Sequence, residues 1–83
     1  YQTILNRKQN PKEDSYTTYL FEKGLDKILK KIGEEATEIV IAAKNPSQDE
    51  LKSEFVDFLY HAMVLMVERN VTWEELTEEM AKR

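Results

Sequence analysis

Five acidic residues in the middle of the chain have the types and spacing of a cation-binding site. Glu34, Glu35 and Glu38 come first, and Glu54 and Asp57 follow after fifteen intervening residues. At about 100° of helical turn per residue, the first three fall within an arc of about 100° and the last two share one face. Carboxylate oxygens without sulfur ligands suit Mg²⁺ or Mn²⁺, so the pattern predicts an oxygen-rich metal site.

A solvated acidic surface is the alternative interpretation of the same residues. Lys30 and Lys31 each stand four residues before a glutamate and are possible salt-bridge partners. Glu35, however, lies on the apolar stripe that we expect its helix to bury, and a carboxylate at a core edge is costly without a cation. The predicted stripe consists of Ile28, Ile32, Ala36, Ile39 and Ala43. Spacing alone therefore leaves both interpretations open.

The elements that must position these carboxylates are predicted to be helices throughout. Apolar residues recur at intervals of three and four, and strand-like alternation is absent. A turn containing Asn10-Pro11, in residues 9–14, separates the first helix from the second. The five predicted helices cover approximately residues 1–8, 15–23, 26–44, 47–70 and 72–83. The two long helices are joined by a short Asn-Pro turn and should run antiparallel. This arrangement would make the acidic residues of the third helix face those of the fourth.

Helix ends are predicted from capping residues. Ser15 or Thr17 should cap the second helix, and Gly24 should end it. Asp26 should cap the third helix, which Asn45-Pro46 ends. The segments 47–50 and 72–75 each have the hydroxyl and carboxylate spacing of a capping box.

The fourth helix is apolar on almost every side between residues 55 and 67. Such a helix must be covered all round, and four short partners can hardly do this. We therefore expect an all-α bundle completed by two-fold dimerisation. A central helix wrapped only by its own chain is the alternative.

Composition narrows the possible classes of protein. The 83 residues include no cysteine, which excludes disulfides, thiol nucleophiles and thiolate metal sites. The net charge of −4 disfavours a nucleic-acid partner, and no apolar run is long enough to span a membrane. Nothing N-terminal has the pattern of a signal peptide. The expectation is one domain over residues 1–83 in a soluble cytoplasmic protein.

At the acidic residues the sequence resembles known enzymes. Glu34-Glu35-Ala36-Thr37-Glu38 and Glu54-Phe55-Val56-Asp57 resemble the EExxE…ExxD signature of the MazG-like all-α nucleotide pyrophosphohydrolases. Four blocks more specifically resemble the phosphoribosyl-ATP pyrophosphohydrolase family of histidine biosynthesis. They are Ser15-Tyr16-Thr17, the segment 30–38, Ile41-Ala42-Ala43-Lys44 and Asp57-Phe58-Leu59-Tyr60-His61. The resemblance covers nearly the whole chain.

This resemblance implies Mg²⁺-dependent hydrolysis of phosphoribosyl-ATP to phosphoribosyl-AMP and pyrophosphate, with Mn²⁺ a possible substitute. An acidic protein can hold a triphosphate only through cations that reverse the local charge. Carried over from the motif, Glu35, Glu38, Glu54 and Asp57 are the expected metal ligands. Glu34 is expected to activate the attacking water or to bind a second metal.

Contacts to the substrate are assigned more broadly. Each candidate carries a cationic or hydroxyl group that could bind the substrate. The candidates are Arg7, Ser15, Tyr16, Thr17, Lys30, Lys31 and Lys44. His61 lies on the same strip as Asp57 and is expected to support a metal ligand or to lie at the dimer interface. Two alternative functions remain open, a house-cleaning nucleoside triphosphate pyrophosphohydrolase and a non-enzymatic helical dimerisation module. The sequence leaves open whether the domain is part of a bifunctional fusion, and how many metals it binds.

Overall fold

The computed structural model describes residues 1–13 and 15–83, and these residues form five helices and no strand. The helices are α1 (Gln2–Gln9), α2 (Tyr16–Lys23), α3 (Leu25–Ala42), α4 (Asp49–Glu68) and α5 (Trp73–Ala81). The prediction of an all-α fold with five helices is confirmed. The predicted turn over residues 9–14 includes Asp14, which lies outside the described residues.

The two long helices, α3 and α4, pack against each other more extensively than any other pair. Glu35 lies opposite His61, with 2.6 Å between Oε1 and Nδ1. One turn further along α3, Glu38 meets Glu54, and Ala42 lines a small cavity together with Glu50. Residue numbers thus rise along one helix as they fall along the other, and the predicted antiparallel arrangement is confirmed.

The hydrophobic core lies around the second half of α4. Leu20, Ile28 and Val64 have no exposed surface, and Ile4 and Val67 complete the cluster. Each of α1, α2 and α3 therefore contributes one residue to a core centred on α4. The first half of α4 has no buried residue, and its Glu54 contacts Glu38 of α3.

Two of the predicted helix starts are confirmed and two are wrong. The Ser15 hydroxyl accepts from the backbone N–H of Thr18, and Thr72 forms a complete capping box with Glu75. Asp26 is not a cap, because α3 begins directly after Gly24 and places Asp26 in its first turn. The box over residues 47–50 does not form: α4 begins at Asp49, and the Glu50 carboxylate instead accepts from the Asn45 side chain at 2.7 Å.

The buried stripe of α3 is displaced from the predicted one. Ile28 is buried as expected, whereas Ala36 and Ala43 are exposed. Ala42 and Glu35 are buried in their place, so the core-facing line follows a seven-residue spacing from Ile28. A seven-residue repeat is the spacing at which the side chains of one helix return to the same line of contact with a partner helix. The predicted stripe used the wider three-and-four spacing of an ordinary amphipathic helix and therefore does not coincide with this contact line.

The two glycines provide a matched test of backbone conformation. Gly24 has φ of +92° and ψ of −176°, a region that other residues enter at a cost of about 1–3 kcal/mol. Gly33 lies inside α3, and no atom lies within 4 Å of the place where a Cβ would stand. We expect Gly24→Ala to lower the free energy of unfolding by about 1–3 kcal/mol. Gly33→Ala should raise it by about 0.5–1 kcal/mol, and urea titration of both variants checks the opposite signs.

None of the helices in the described residues combines the length and the apolar character needed to cross a bilayer.

Candidate active site

The centre of the site is a contact between two buried side chains, Glu35 on α3 and His61 on α4. The exposed fractions are 6% for Glu35 and 5% for His61. His61 Nδ1 lies 2.9 Å from the backbone carbonyl of Asp57 and 2.6 Å from Glu35 Oε1. Glu35 Oε1 has no aligned hydrogen bond within the described residues, although it is fully enclosed. The sequence correctly placed Glu35 on the buried face, and the α3–α4 seam explains why.

Helix α2 contributes Tyr16 and Thr17 to the site. The Tyr16 hydroxyl lies 2.9 Å from His61 Nε2, and the two rings meet edge to face. The Thr17 hydroxyl is buried and hydrogen-bonds the hydroxyl of Tyr60. Partial burial raises the pKa of Tyr16 above its ordinary value; nearby Lys31 opposes this shift and Glu35 adds to it. The α2 segment therefore contacts His61 and Tyr60 of α4 through hydroxyl groups, and His61 in turn lies beside Glu35.

Glu38 and Glu54 form the second carboxylate contact between α3 and α4. The pKa of Glu54 is raised to about 7, first because it shares a hydrogen bond with Glu38, and then through loss of solvent. The negative charges of Glu38, Asp57 and Glu35 raise it further. Glu54 Oε2 is enclosed and lacks a hydrogen-bond partner in the described part of the chain. This arrangement would favour a positive charge between the two helices.

A cavity of about 150 Å³ opens beside this pair, and its wall includes Glu50 as well as Glu38 and Glu54. Sequence analysis missed Glu50 because it was assigned to a helix cap. Its spacing of four residues from Glu54 was the available indication that both lie on one face of α4. Tyr60 was also missed; only its contact with Thr17 identifies it.

The remaining predicted ligands lie near this centre but are more exposed. Glu34 is exposed, and its Oε1 lies 3.8 Å from Lys31 Nζ, a partner three residues away. Within the described residues, neither of the two salt bridges predicted at a spacing of four residues is present. Asp57 and Lys30 are also exposed. Among residues 1–13 and 15–83, no three acidic or histidine side chains are arranged to hold one ion as they stand. The metal-ligand assignment accordingly stays a prediction.

The other candidate substrate contacts are scattered. Ser15 acts as the cap of α2, and Lys44 is exposed in the turn after α3. Arg7 lies on α1, which packs against the far end of α4, where Lys8 pairs with Glu68 at 3.1 Å. Fourteen residues of helix, about 21 Å, separate Glu68 from Glu54. Within one chain, the fold therefore does not bring Arg7 to the carboxylates.

A larger cavity, of about 590 Å³, lies between the start of α1 and the start of α5. Its wall includes Tyr1, Leu5 and Trp73 and carries one carboxylate, Glu74. It lies beyond the far end of α4, because the Tyr1 hydroxyl donates to the carbonyl of Val71. None of the predicted site residues lines it.

The raised pKa of Glu54 predicts how the metal-free protein depends on pH. The folded state holds this proton up to about pH 7, whereas the unfolded chain releases it near pH 4.5. The contribution of Glu54 to stability is therefore full below pH 4.5 and is lost as the pH rises through 7. Urea unfolding in the presence of a chelator should show a steeper loss across this range for the parent than for Glu54→Gln. Identical pH slopes would contradict the Glu38–Glu54 contact.

Two antiparallel helices with opposed carboxylates define a helical protein with an acidic site, and comparison with known proteins identifies the family. The model of the phosphoribosyl-ATP pyrophosphohydrolase family matches residues 1–83. The chain belongs to this family.

Individual relatives agree with the family match. Proteins named phosphoribosyl-ATP pyrophosphatase from Lactiplantibacillus plantarum and Limosilactobacillus fermentum are each 59% identical over the whole chain, which spans 78% of each relative. A protein of Caldanaerobacter subterraneus subsp. tengcongensis, named histidine biosynthesis bifunctional protein HisIE, is also 59% identical. The chain spans 40% of that relative.

Proposed function

We propose that this chain hydrolyses phosphoribosyl-ATP to phosphoribosyl-AMP and pyrophosphate, a step of histidine biosynthesis. The proposal is carried by the family match over residues 1–83. The matched range includes all five acidic residues of the motif, from Glu34 to Asp57. The α3–α4 seam supports it, because it sets Glu35 and Glu38 opposite residues of α4 that carry acid or imidazole groups. The α2 hydroxyl groups border the same site.

We further propose that the site takes Mg²⁺, with Mn²⁺ as a substitute. Two observations support the fit: the enclosed Oε1 of Glu35 and Oε2 of Glu54 make no aligned hydrogen bond within the described residues, and Glu54 retains a proton to about pH 7 beside Glu38. Hard oxygen donors are the ligands that Mg²⁺ prefers. When bound, the ion would neutralise the triphosphate and polarise the phosphorus under attack.

The residues of the chain have distinct parts in this proposal. Glu35, Glu38, Glu54 and Asp57 hold the cation, the first and third with oxygens already removed from water. The exposed Glu34 carboxylate is proposed to accept a proton from the attacking water or to bind a second metal. Lys31, whose Nζ lies 3.8 Å from Glu34 Oε1, is proposed to contact a phosphate oxygen.

The working form is proposed to be a homodimer. A compact monomer of this mass should expose about 5,200 Å², whereas the chain exposes 6131 Å². The excess is similar to the roughly 800 Å² that each partner buries in a standard interface. Exposed apolar side chains are available on both long helices, and they are Leu29, Val40, Ile41, Phe55, Val56 and Leu59. Sedimentation equilibrium should give about twice the 9.8 kDa chain mass.

The deciding experiment measures pyrophosphate release from phosphoribosyl-ATP with Mg²⁺, beside ATP and dUTP and a chelator control. Fast, metal-dependent release from phosphoribosyl-ATP alone supports the proposal. Preference for another triphosphate would keep the metal site and favour a house-cleaning hydrolase. No turnover of any of the three would contradict an enzymatic role and favour a helical dimerisation module.

Metal binding can be measured without substrate. An ion that binds only the folded state stabilises it by RT ln(1 + [L]/Kd), about 2.7 kcal/mol at one hundred times Kd. We expect Mg²⁺ to raise the Tm of the parent and to have much less effect on Glu35→Gln. Equal shifts in both proteins would place the ion elsewhere.

The cytoplasm is the proposed location of this activity. A triphosphate substrate carries too much charge to enter a bilayer, so substrate and enzyme must share a compartment.

A further inference from the structure

His61 has a neighbour at each of its two ring nitrogens. Nε2 lies 2.9 Å from the Tyr16 hydroxyl on α2. Nδ1 lies 2.9 Å from the carbonyl oxygen of Asp57 and 2.6 Å from Glu35 Oε1 on α3. Because the ring is 5% exposed, water has little access to compete for either nitrogen. The ring thus connects α2 to the carboxylate of α3.

The Asp57 carbonyl fixes the proton on one ring nitrogen of His61. A carbonyl oxygen can only accept, so Nδ1 carries a proton. The Tyr16 hydroxyl can donate to a lone pair at Nε2 or accept from an N–H there, so it pairs with Nε2 in either form of the ring. One N–H faces two acceptors, which is why the Glu35 oxygen is close to Nδ1 without being aligned to it.

We propose that Tyr16 is a positioning residue: its hydroxyl, hydrogen-bonded to His61 Nε2, holds the imidazole so that Nδ1 stays between the Asp57 carbonyl and the Glu35 carboxylate. Its role in catalysis rests on the function proposed above, whereas its hydrogen bond does not. Groups that orient the ligands of a metal typically contribute tenfold to a hundredfold to metal affinity or activity. Tyr16 therefore acts on Glu35 through His61, and this differs from the direct substrate contact expected from the sequence.

The two hydrogen bonds of the ring can be observed directly, because His61 is the only histidine in the chain. Nitrogen-15 NMR of the metal-free protein should show a proton on Nδ1. In Tyr16→Phe the Nε2 resonance should move, since its hydrogen-bond partner is lost. A parent without a proton on Nδ1, or an unchanged Nε2 resonance in the variant, would overturn the proposal whatever the protein catalyses.

The functional part is tested with Tyr16→Phe beside Tyr19→Phe. Tyr19 is a matched control because its ring stacks on Tyr16 at 6.0 Å, and its hydroxyl makes no hydrogen bond within the described residues. We expect Tyr16→Phe to raise the Mg²⁺ concentration for half-maximal Tm shift about tenfold or more, and Tyr19→Phe to leave it unchanged. The same increase should appear in the Mg²⁺ dependence of turnover.

A direct substrate contact would give a different result. In that case Tyr16→Phe would raise KM for phosphoribosyl-ATP at saturating Mg²⁺ and leave the Mg²⁺-dependent Tm shift unchanged, which would overturn the positioning role. If the parent protein turns over no substrate, the NMR and Tm measurements still decide the proposal. Failure of the proposed function is therefore distinguishable from failure of this inference.

Discussion

Glutamine in place of Glu38 is expected to reduce pyrophosphate release about 10³-fold while leaving the fold intact. A bound metal contributes several kcal/mol to the transition state, and each 1.4 kcal/mol changes the rate about tenfold. The metal-free variant should be as stable as the parent or slightly more stable, because the Glu38 charge opposes ionisation of Glu54. Turnover and urea unfolding of the same preparation measure both effects.

Glu78→Gln on α5 is the control for this variant. It makes the same change of charge on an exposed residue of a helix that has no buried residue. Its turnover and stability should match those of the parent within experimental error. Full activity in Glu38→Gln would remove Glu38 from the site and would contradict the ligand assignment drawn from the motif.

Aspartate at Val64 is expected to unfold the chain, whereas aspartate at Val56 is not. Both valines lie on α4, but Val64 has no exposed surface and Val56 is 65% exposed. An unpaired buried carboxylate costs several kcal/mol, a large part of the 5–15 kcal/mol of a typical domain. An exposed substitution usually changes the stability of a protomer by less than about 0.5 kcal/mol. Circular dichroism melts should separate the two variants clearly.

The Val56 variant also tests the proposed dimer. If a partner covers the exposed face of α4, Val56→Asp should sediment as a folded monomer of 9.8 kDa at concentrations where the parent is a dimer. A variant that remains dimeric would place the interface on another surface. A folded Val64→Asp protein would contradict the core described above.

Most of the fold could be predicted because local rules and tertiary packing agree along the chain. The periodicity of the apolar residues, Gly24 and the Thr72 capping box indicated the helices and two of their ends. Predictions failed where a residue had two possible partners. The Glu50 carboxylate could accept a hydrogen bond from a backbone N–H at the start of α4 or from the Asn45 side chain. In the structure it accepts from Asn45, which lies in the turn before α4.

The site was predicted in part for a related reason. Carboxylate spacing places Glu34, Glu35, Glu38, Glu54 and Asp57 on two helices, and the antiparallel packing brings the helices together. Spacing contains no information about a third helix, however, so the contact of Tyr16 with His61 could not be derived from it. The displaced stripe of α3 was missed because the seven-residue seam appears only when the partner helix is known.

The two halves of α4 should differ in how fast their backbone amides exchange with deuterium. Val64, Met66 and Val67 lie in the core, whereas the first half of the helix has exposed apolar residues and no buried one. Amides near Val64 should exchange only through global unfolding, and those near Val56 through local opening. Glu54 and Asp57 lie in the half that we expect to open first. A ligand held there would slow exchange in the first half of α4 selectively, so binding would be detected as local ordering of one half-helix.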